Sequence, residues 1–408
     1  MTKNKNICVI VALMITGGSD KLLLSHLSTL AKNGYNVFLY SIYPMDNNLL
    51  SNRFRDNGIL LKDYSTITKS LLQIIKYSLV IPFCAFLSMA NNLNIFGRAV
   101  TREQIISTVE NRIIFRLCIP LLFIRIFFDN FVTKYDIITS YHYSTYGISY
   151  YLKKALKIPA VYTEISSPRW RKGWKAKRKL SKYINSFNKR FVPSKIIGDE
   201  LREYEGLNSG YIVSPFIIEE LPYNFNFKNK KAESFGVIAR LSPEKNQDVL
   251  IKVLNIVVKS KPNTQLVLIG KGPEEARYRS LVQELGLVDN VQFIPSFDEI
   301  SEIIDKVDIF VLCSDVEGMP LTLIEALYYG KPILVNDVGS TSELVINNFN
   351  GFLIDKSDLE NIANKIMSIM DDLNAFKEFS INSRKLYDAK YKPKEILNAL
   401  LVEYSQLN

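Results

Sequence analysis

The sequence predicts an α/β protein built from two Rossmann-like domains, on three observations. Short apolar runs alternate with helical patterns in both halves, as parallel crossover connections require. A length of 408 residues suggests more than one domain, and 47% apolar with 23% charged residues is the composition of a chain with sizeable cores. The net charge of +10 is unevenly split: residues 1–214 hold 30 Lys/Arg against 13 Asp/Glu, hence +17, and residues 215–408 hold 21 against 28, hence −7. A basic half joined to an acidic half points to two domains with different partners.

Lys3 and Lys5 followed by the apolar Ile7–Ile15 imitate a signal peptide. Thr16-Gly-Gly-Ser-Asp20 comes next, then a helical pattern through Leu22, Leu23, Leu27 and Leu30, a stop at Asn33-Gly34 and a strand Val37–Tyr40. A strand–glycine loop–helix–strand unit accounts for all of these residues, whereas a leader accounts only for the first twenty. The segment is therefore expected to open a cytoplasmic Rossmann-like domain. A third strand is expected near Ile59–Leu61, further strands at Tyr135–Ser140 and Pro159–Thr163, and a helix through Gly147–Leu156.

Residues 65–132 are unusually apolar. The uncharged core Leu79–Ala90 has twelve residues, about 18 Å of helix against roughly 30 Å of hydrocarbon. Ile113–Phe128 contains Arg116 and Arg125, each costly at a bilayer centre. Neither is expected to span a membrane; helices in the membrane interface and helices in the core both remain open. From Arg169 to Arg190 there are ten Lys/Arg and no Asp/Glu, with Leu180, Tyr183, Ile184, Phe187 and Phe191 at helical spacing and Trp170 and Trp174 one turn apart. That pattern predicts a basic amphipathic helix, suited to anionic headgroups, a phosphate-bearing acceptor or nucleic acid.

In the second half the expected strands are Phe235–Ala239, Gln265–Ile269, Val291–Ile294, Ile309–Cys313, Pro332–Val335 and Gly351–Ile354, and the domain link falls between Ser214 and Lys231. The four cysteines are scattered and only His26 and His142 are present, which argues against a histidine-built metal site and favours buried reduced thiols.

The most informative stretch is Asp315-Val-Glu-Gly-Met-Pro-Leu-Thr-Leu-Ile-Glu325, which follows the strand ending at Cys313. Pro320 stands at a helix entrance, where its missing N–H costs nothing. Glu317 then lies in the strand-to-helix loop and Glu325 inside the helix. The N–H groups of Gly318, Met319, Leu321 and Thr322 are left free at a terminus that attracts a diphosphate. Two carboxylates beside an anion site suit a polyhydroxylated ligand. Arg240 and Lys245 bracket the loop after the first strand of this half, at the end of a parallel strand where such sheets bind ligands. They can neutralise a leaving diphosphate. Gly270-Lys-Gly272 follows the next strand, and Gly17-Gly18 opens a helix in the first half.

The blocks EGMPLTLIEALYYGKPILVNDVGSTSELV, IARLSPEKN and LIGKGPEE resemble the E-x7-E glycosyltransferases of the GT-B fold, family 4 (glycosyl transferases group 1) type. The resemblance is specific over about 230–355 and looser over 5–65 and 135–165. It implies two Rossmann-like domains facing across a cleft, an acceptor domain at 1–214, a donor domain at 215–390, and a final helix at 391–408 returning to the first. It further implies sugar transfer from a nucleoside-diphosphate sugar with retention of configuration and no divalent metal or other cofactor, in line with the lack of an Asp-x-Asp motif. Glu317 would hold donor-sugar hydroxyls, Glu325 the ribose, and Arg240 and Lys245 the diphosphate. Gly17, Gly18, Gly270, Gly272 and Gly318 to Thr322 would line the donor path. Many members carry His where this chain has Glu164, so Glu164 is expected to bind a sugar hydroxyl or orient the acceptor. His142, Arg169, Trp170 and Trp174 are candidate acceptor contacts. The acceptor is expected to be a saccharide or polyprenyl-linked glycan of bacterial surface polysaccharide synthesis, met at the inner face of an anionic membrane. A nucleotide-sugar epimerase on the same fold is the alternative, and a nucleic-acid-binding protein a weaker one that leaves Glu317, Glu325, Arg240 and Lys245 unexplained.

Overall fold

The computed structural model describes residues 5–12, 18–42, 49–62, 102–171, 177–218, 231–295, 300 and 303–407. The first sheet and its helices run β1 (Asn6–Val11), α1 (Gly18–Lys32), β2 (Asn36–Ser41), α2 (Leu49–Asp56), β3 (Leu60–Leu61), α3 (Arg102–Thr133), β4 (Ile137–Tyr141), α4 (Tyr146–Leu156), β5 (Ala160–Thr163), α5 (Lys177–Ile184), β6 (Lys189–Val192), α6 (Lys195–Glu200) and β7 (Ile212–Val213). The second runs β8 (Ser234–Ile238), α7 (Gln247–Val257), β9 (Gln265–Ile269), α8 (Glu275–Glu284), β10 (Val291–Ile294), β11 (Ile309–Leu312), α9 (Leu321–Tyr328), β12 (Ile333–Asn336), α10 (Thr341–Leu344), β13 (Gly351–Ile354), α11 (Leu359–Asp371), α12 (Leu373–Lys390) and α13 (Pro393–Ser405).

The strand orders are β3-β2-β1-β4-β5-β6-β7 and β10-β9-β8-β11-β12-β13. The described pairings are parallel. Parallel strands covered on both faces read as continuous apolar runs, and β1, β4, β8 and β11 are buried almost throughout. In each sheet the order reverses once, between β1 and β4 and between β8 and β11. The loops leaving those strand pairs diverge, and the crevice at the carboxyl ends is where such sheets take ligands. Within the segment that imitates a signal peptide, Asn6–Val11 is a strand paired on both edges.

By its contacts the chain forms two compact units, residues 1–164, 179–190 and 404–408 in one and 165–178 and 191–403 in the other. The units interleave in sequence, whereas the expected bounds are 1–214 and 215–390 with 391–408 returning to the first domain. Within the first unit, the hydroxyl of Tyr404, near the end of α13, lies 3.2 Å from Thr139 Oγ1 of β4, and Lys5 Nζ donates to Leu407 O at 2.6 Å.

The single amphipathic helix expected over 169–190 is not formed. The chain makes a short 3-10 turn at Pro168–Arg171, the eight-residue α5 and then β6. Among the described side chains two of these cations are buried, Arg171 against Glu205 at 2.5 Å and Arg190, on β6, against the turn after α5. Arg190 donates to the carbonyls of Ile184 (2.7 Å), Asn185 (2.9 Å) and Phe187 (2.5 Å), satisfying acceptors that a helix end leaves over. Phe187 and Phe191 are buried from the turn and the strand, so the helical spacing continued past the helix.

The apolar segment Ile113–Phe128 lies on α3. Cys118, Leu122 and Ile126 are buried at four-residue intervals, whereas Ile124, Phe128, Phe131 and Val132 are exposed. Of the two readings left open, core packing describes one face of this helix. No described helix is long and apolar enough to cross a membrane. Cys8, Cys118 and Cys313 are buried; Cys84 and Leu79–Ala90 lie outside the described residues.

Candidate active site

The second sheet assembles its site from the loops that diverge after β8 and β11. The first carries Arg240 to Asn246, the second Cys313 to Pro320. Lys245 Nζ lies 2.5 Å from Glu317 Oε1, with side-chain exposures of 21% and 9%. Arg240, 68% exposed, pairs with Glu244 at 2.8 Å, and Ser242 Oγ donates to the same carboxylate at 2.7 Å. Partial burial pushes the Glu244 carboxyl up, but the hydrogen bonds from Ser242 and Arg240 outweigh it and hold it at about 2. An ion pair this exposed contributes little to stability, so Arg240 can exchange Glu244 for an incoming anion at small cost. Both cations face acids.

Helix α9 begins after Pro320, which has φ −71° and no side-chain cap. The N–H groups of Leu323 and Ile324 return to Pro320 O at 3.1 and 3.4 Å. Leu321 and Thr322 remain as first-turn donors with no acceptor inside the helix. Met319 and Pro320 are buried, whereas Gly318, Leu321, Thr322 and Glu325 are partly accessible. Glu325 is the fifth residue of α9, just over one turn in.

Glycine serves here for close packing of the chain on itself. A Cβ on Gly270 would stand 2.1 Å from Ala239 O, and one on Gly272 2.0 Å from Leu241 O. These glycines are expected to line the donor path; in this structure they also admit the backbone of the Arg240 loop. Gly318 rests on Ser166, whose Cα would be 3.0 Å from an added Cβ. Gly339, at φ +55°, rests on Glu317, whose carbonyl oxygen would be 1.9 Å away. Ser340 N donates to Gly318 O at 2.9 Å. The Glu317-Gly318 peptide is therefore held between Ser166 on one side and Gly339-Ser340 on the other. Sequence reasoning missed Ser166, Gly339 and Ser340; the run DVGST, quoted as part of the resemblance, was the available signal.

The candidates in the first unit are placed as follows. Gly18 opens α1 and Gly17 lies outside the described residues. His142 follows β4 at the reversal point, at φ 73°, its Nδ1 2.9 Å from Ser144 Oγ and its ring 4.1 Å from that of Tyr143. Glu164 follows β5 and is fully buried, accepting from Tyr162 Oη at 2.7 Å. In the second unit, Arg169 is exposed on the 3-10 turn that also contains Trp170; Trp174 lies outside the described residues. Among the described residues, no three His, Cys, Asp or Glu side chains group in a way that could hold a metal ion.

Residues 223–386 match the family described as Glycosyl transferases group 1. An uncharacterized glycosyltransferase of Haemophilus influenzae is 31% identical over 158 residues, 38% of this chain and 44% of the relative. The UDP-Gal:alpha-D-GlcNAc-diphosphoundecaprenol alpha-1,3-galactosyltransferase of Escherichia coli is 29% identical over 142 residues, 34% and 36% of the two chains. The chain thus spans less than half the length of either curated relative. The crystal structure of Anabaena HepE in complex with UDP superposes with a TM-score of 0.72 at 16% identity, covering 99% of this chain and 100% of that one. At that identity the likeness establishes the fold: two parallel-sheet Rossmann-like domains, as in GT-B glycosyltransferases.

Proposed function

We propose that the protein is a retaining, metal-independent glycosyltransferase of family 4 type, moving a sugar from a nucleoside-diphosphate sugar to a saccharide or lipid-linked acceptor. The observation that carries this reading is the Lys245–Glu317 pair at 2.5 Å, set at the β8/β11 reversal beside the start of α9. Arg240, Lys245 and the Leu321 and Thr322 N–H groups supply the positive field a departing diphosphate needs, in place of a divalent cation. Glu317 and Glu325 accept hydrogen bonds from the sugar and ribose hydroxyls. The HepE complex with UDP and the E. coli relative's diphosphoundecaprenol substrate support a uridine nucleotide and a lipid-linked acceptor. The test is transfer from radiolabelled nucleotide sugars in excess EDTA, with the product's anomeric configuration read by NMR. Full activity with EDTA and a retained anomer are expected; strict dependence on Mn²⁺ or Mg²⁺, or an inverted anomer, would contradict the mechanism.

The acceptor reading places the protein at an anionic membrane surface. Exposed Lys179 and Lys182 on α5 support it, as does the +17 balance of residues 1–214. Each cation near an anionic leaflet contributes about 1 kcal/mol. Binding to anionic vesicles is expected to fall steeply with salt, and on changing Lys175, Lys177, Arg178 and Lys179 to Glu. Equal absence of binding to neutral and anionic vesicles at low salt would remove the membrane from the account.

A further inference from the structure

We propose that Asn246 is a positioning residue that sets the Lys245–Glu317 pair by clamping the Arg240 loop to the Glu317 loop. The inference rests on the donor-site reading above and adds a residue to it. Asn246 follows Lys245 directly and lies at φ 50°, ψ 44°, a left-handed conformation that Asn tolerates and most side chains resist. From there its Nδ2 donates twice, to Cys313 O at 3.0 Å and to Asp315 Oδ1 at 2.9 Å. The backbone adds a third bond, Asp315 N to Glu244 O at 2.8 Å. Three hydrogen bonds therefore join residues 244–246 to residues 313–315, one position from Lys245 and two from Glu317.

Lys356, just beyond β13, pairs with the same Asp315 carboxylate. Partial burial pushes the Asp315 carboxyl up, but the hydrogen bonds from Lys356 and Asn246 outweigh it and keep it below its ordinary range. The acceptor that Asn246 uses is thus ionised throughout the neutral range. The clamp joins the two strands between which the sheet order reverses, where diverging loops would otherwise leave lysine and glutamate to find each other unaided. A misplacement of about 1 Å at such a site costs on the order of a hundredfold in rate.

Three variants separate the clamp from a general role in folding. Asn246→Gly keeps the left-handed backbone and removes the amide. Asn246→Asp keeps the side-chain shape and turns the donor into a carboxylate facing Asp315. Asp315→Asn keeps the acceptor oxygen and removes the charge that Lys356 uses. Turnover is expected to fall at least about tenfold in Asn246→Gly and no less in Asn246→Asp. KM for the donor and the melting temperature should stay near wild type, and Asp315→Asn should lose less than about threefold. Turnover of Asn246→Gly within twofold of wild type, or an equal loss in Asp315→Asn, would overturn the clamp. Crystal structures of wild type and Asn246→Gly decide the point even if no donor sugar is transferred. Separation of Lys245 Nζ and Glu317 Oε1 beyond 4 Å in the variant alone supports the clamp, and an unchanged pair refutes it.

Discussion

Replacing Glu317 with alanine is expected to lower turnover by roughly a hundredfold while donor affinity changes less than threefold, the scale seen when one charge-stabilising group is lost from an active site. Glu317 is nearly buried, and its Oε1 is 2.5 Å from Lys245 Nζ. In the proposed reaction it holds hydroxyls of the sugar being transferred, where bonds strengthen as charge develops. Its loss therefore raises the barrier by about 2.7 kcal/mol for a hundredfold effect. The same substitution frees Lys245 for the diphosphate, which offsets any weakening of ground-state binding. Glu325→Ala should behave differently. A ribose contact acts equally in ground and transition states, so donor affinity should fall by roughly tenfold with turnover little changed. Steady-state kinetics with direct donor titration separates the two, and near wild-type behaviour in both variants would remove these assignments.

Gly339→Ala is expected to disable the site as thoroughly, from outside it. An added Cβ would lie 1.9 Å from Glu317 O, 2.8 Å from its carbonyl carbon and 2.9 Å from Gly318 O. These are backbone atoms, so relief requires the Glu317 loop itself to move, by about 1 Å or more. The residue also sits at φ +55°, where alanine adds a strain of about 1 kcal/mol. Gly286 is the control, since it has φ +69° and nothing within 4 Å of an added Cβ. Gly286→Ala should show the strain alone, a small drop in melting temperature with full activity. Gly339→Ala should lose activity about a hundredfold and melt well below it. Equal behaviour of the two variants would mean that the Glu317 loop has slack to absorb the contact.

The second sheet was legible in the sequence nearly to the residue. Strands buried on both faces read as uninterrupted apolar runs, as Gln265–Ile269 and Ile309–Leu312 do; the part-buried edge strands Val291–Ile294 and Gly351–Ile354 also fall at their expected positions. β6 was not legible for the opposite reason. It opens with Lys189 and Arg190, and a cation reads as surface unless its partners are known; the partners of Arg190 are carbonyls of the preceding turn. Phe187 and Phe191 extended the α5 spacing by coincidence and hid the turn between helix and strand. In the candidate site, Arg240, Lys245 and Glu317 stood out because charged residues beside glycine and proline after strand ends are conspicuous, and Glu325 by its spacing from Glu317. Ser166 and Gly339 matter through close backbone approach, and Asn246 through a side-chain amide whose acceptors lie some seventy residues away; composition and spacing encode neither.

The most direct test of the donor site is equilibrium titration of a panel of nucleoside-diphosphate sugars into the wild-type protein and into Lys245→Met. The account predicts that at least one uridine-diphosphate sugar binds the wild type and that Lys245→Met weakens it by tenfold or more, since a charge-assisted contact to the diphosphate is lost. A panel in which nothing binds the wild type, or in which the best ligand binds Lys245→Met equally well, would contradict it.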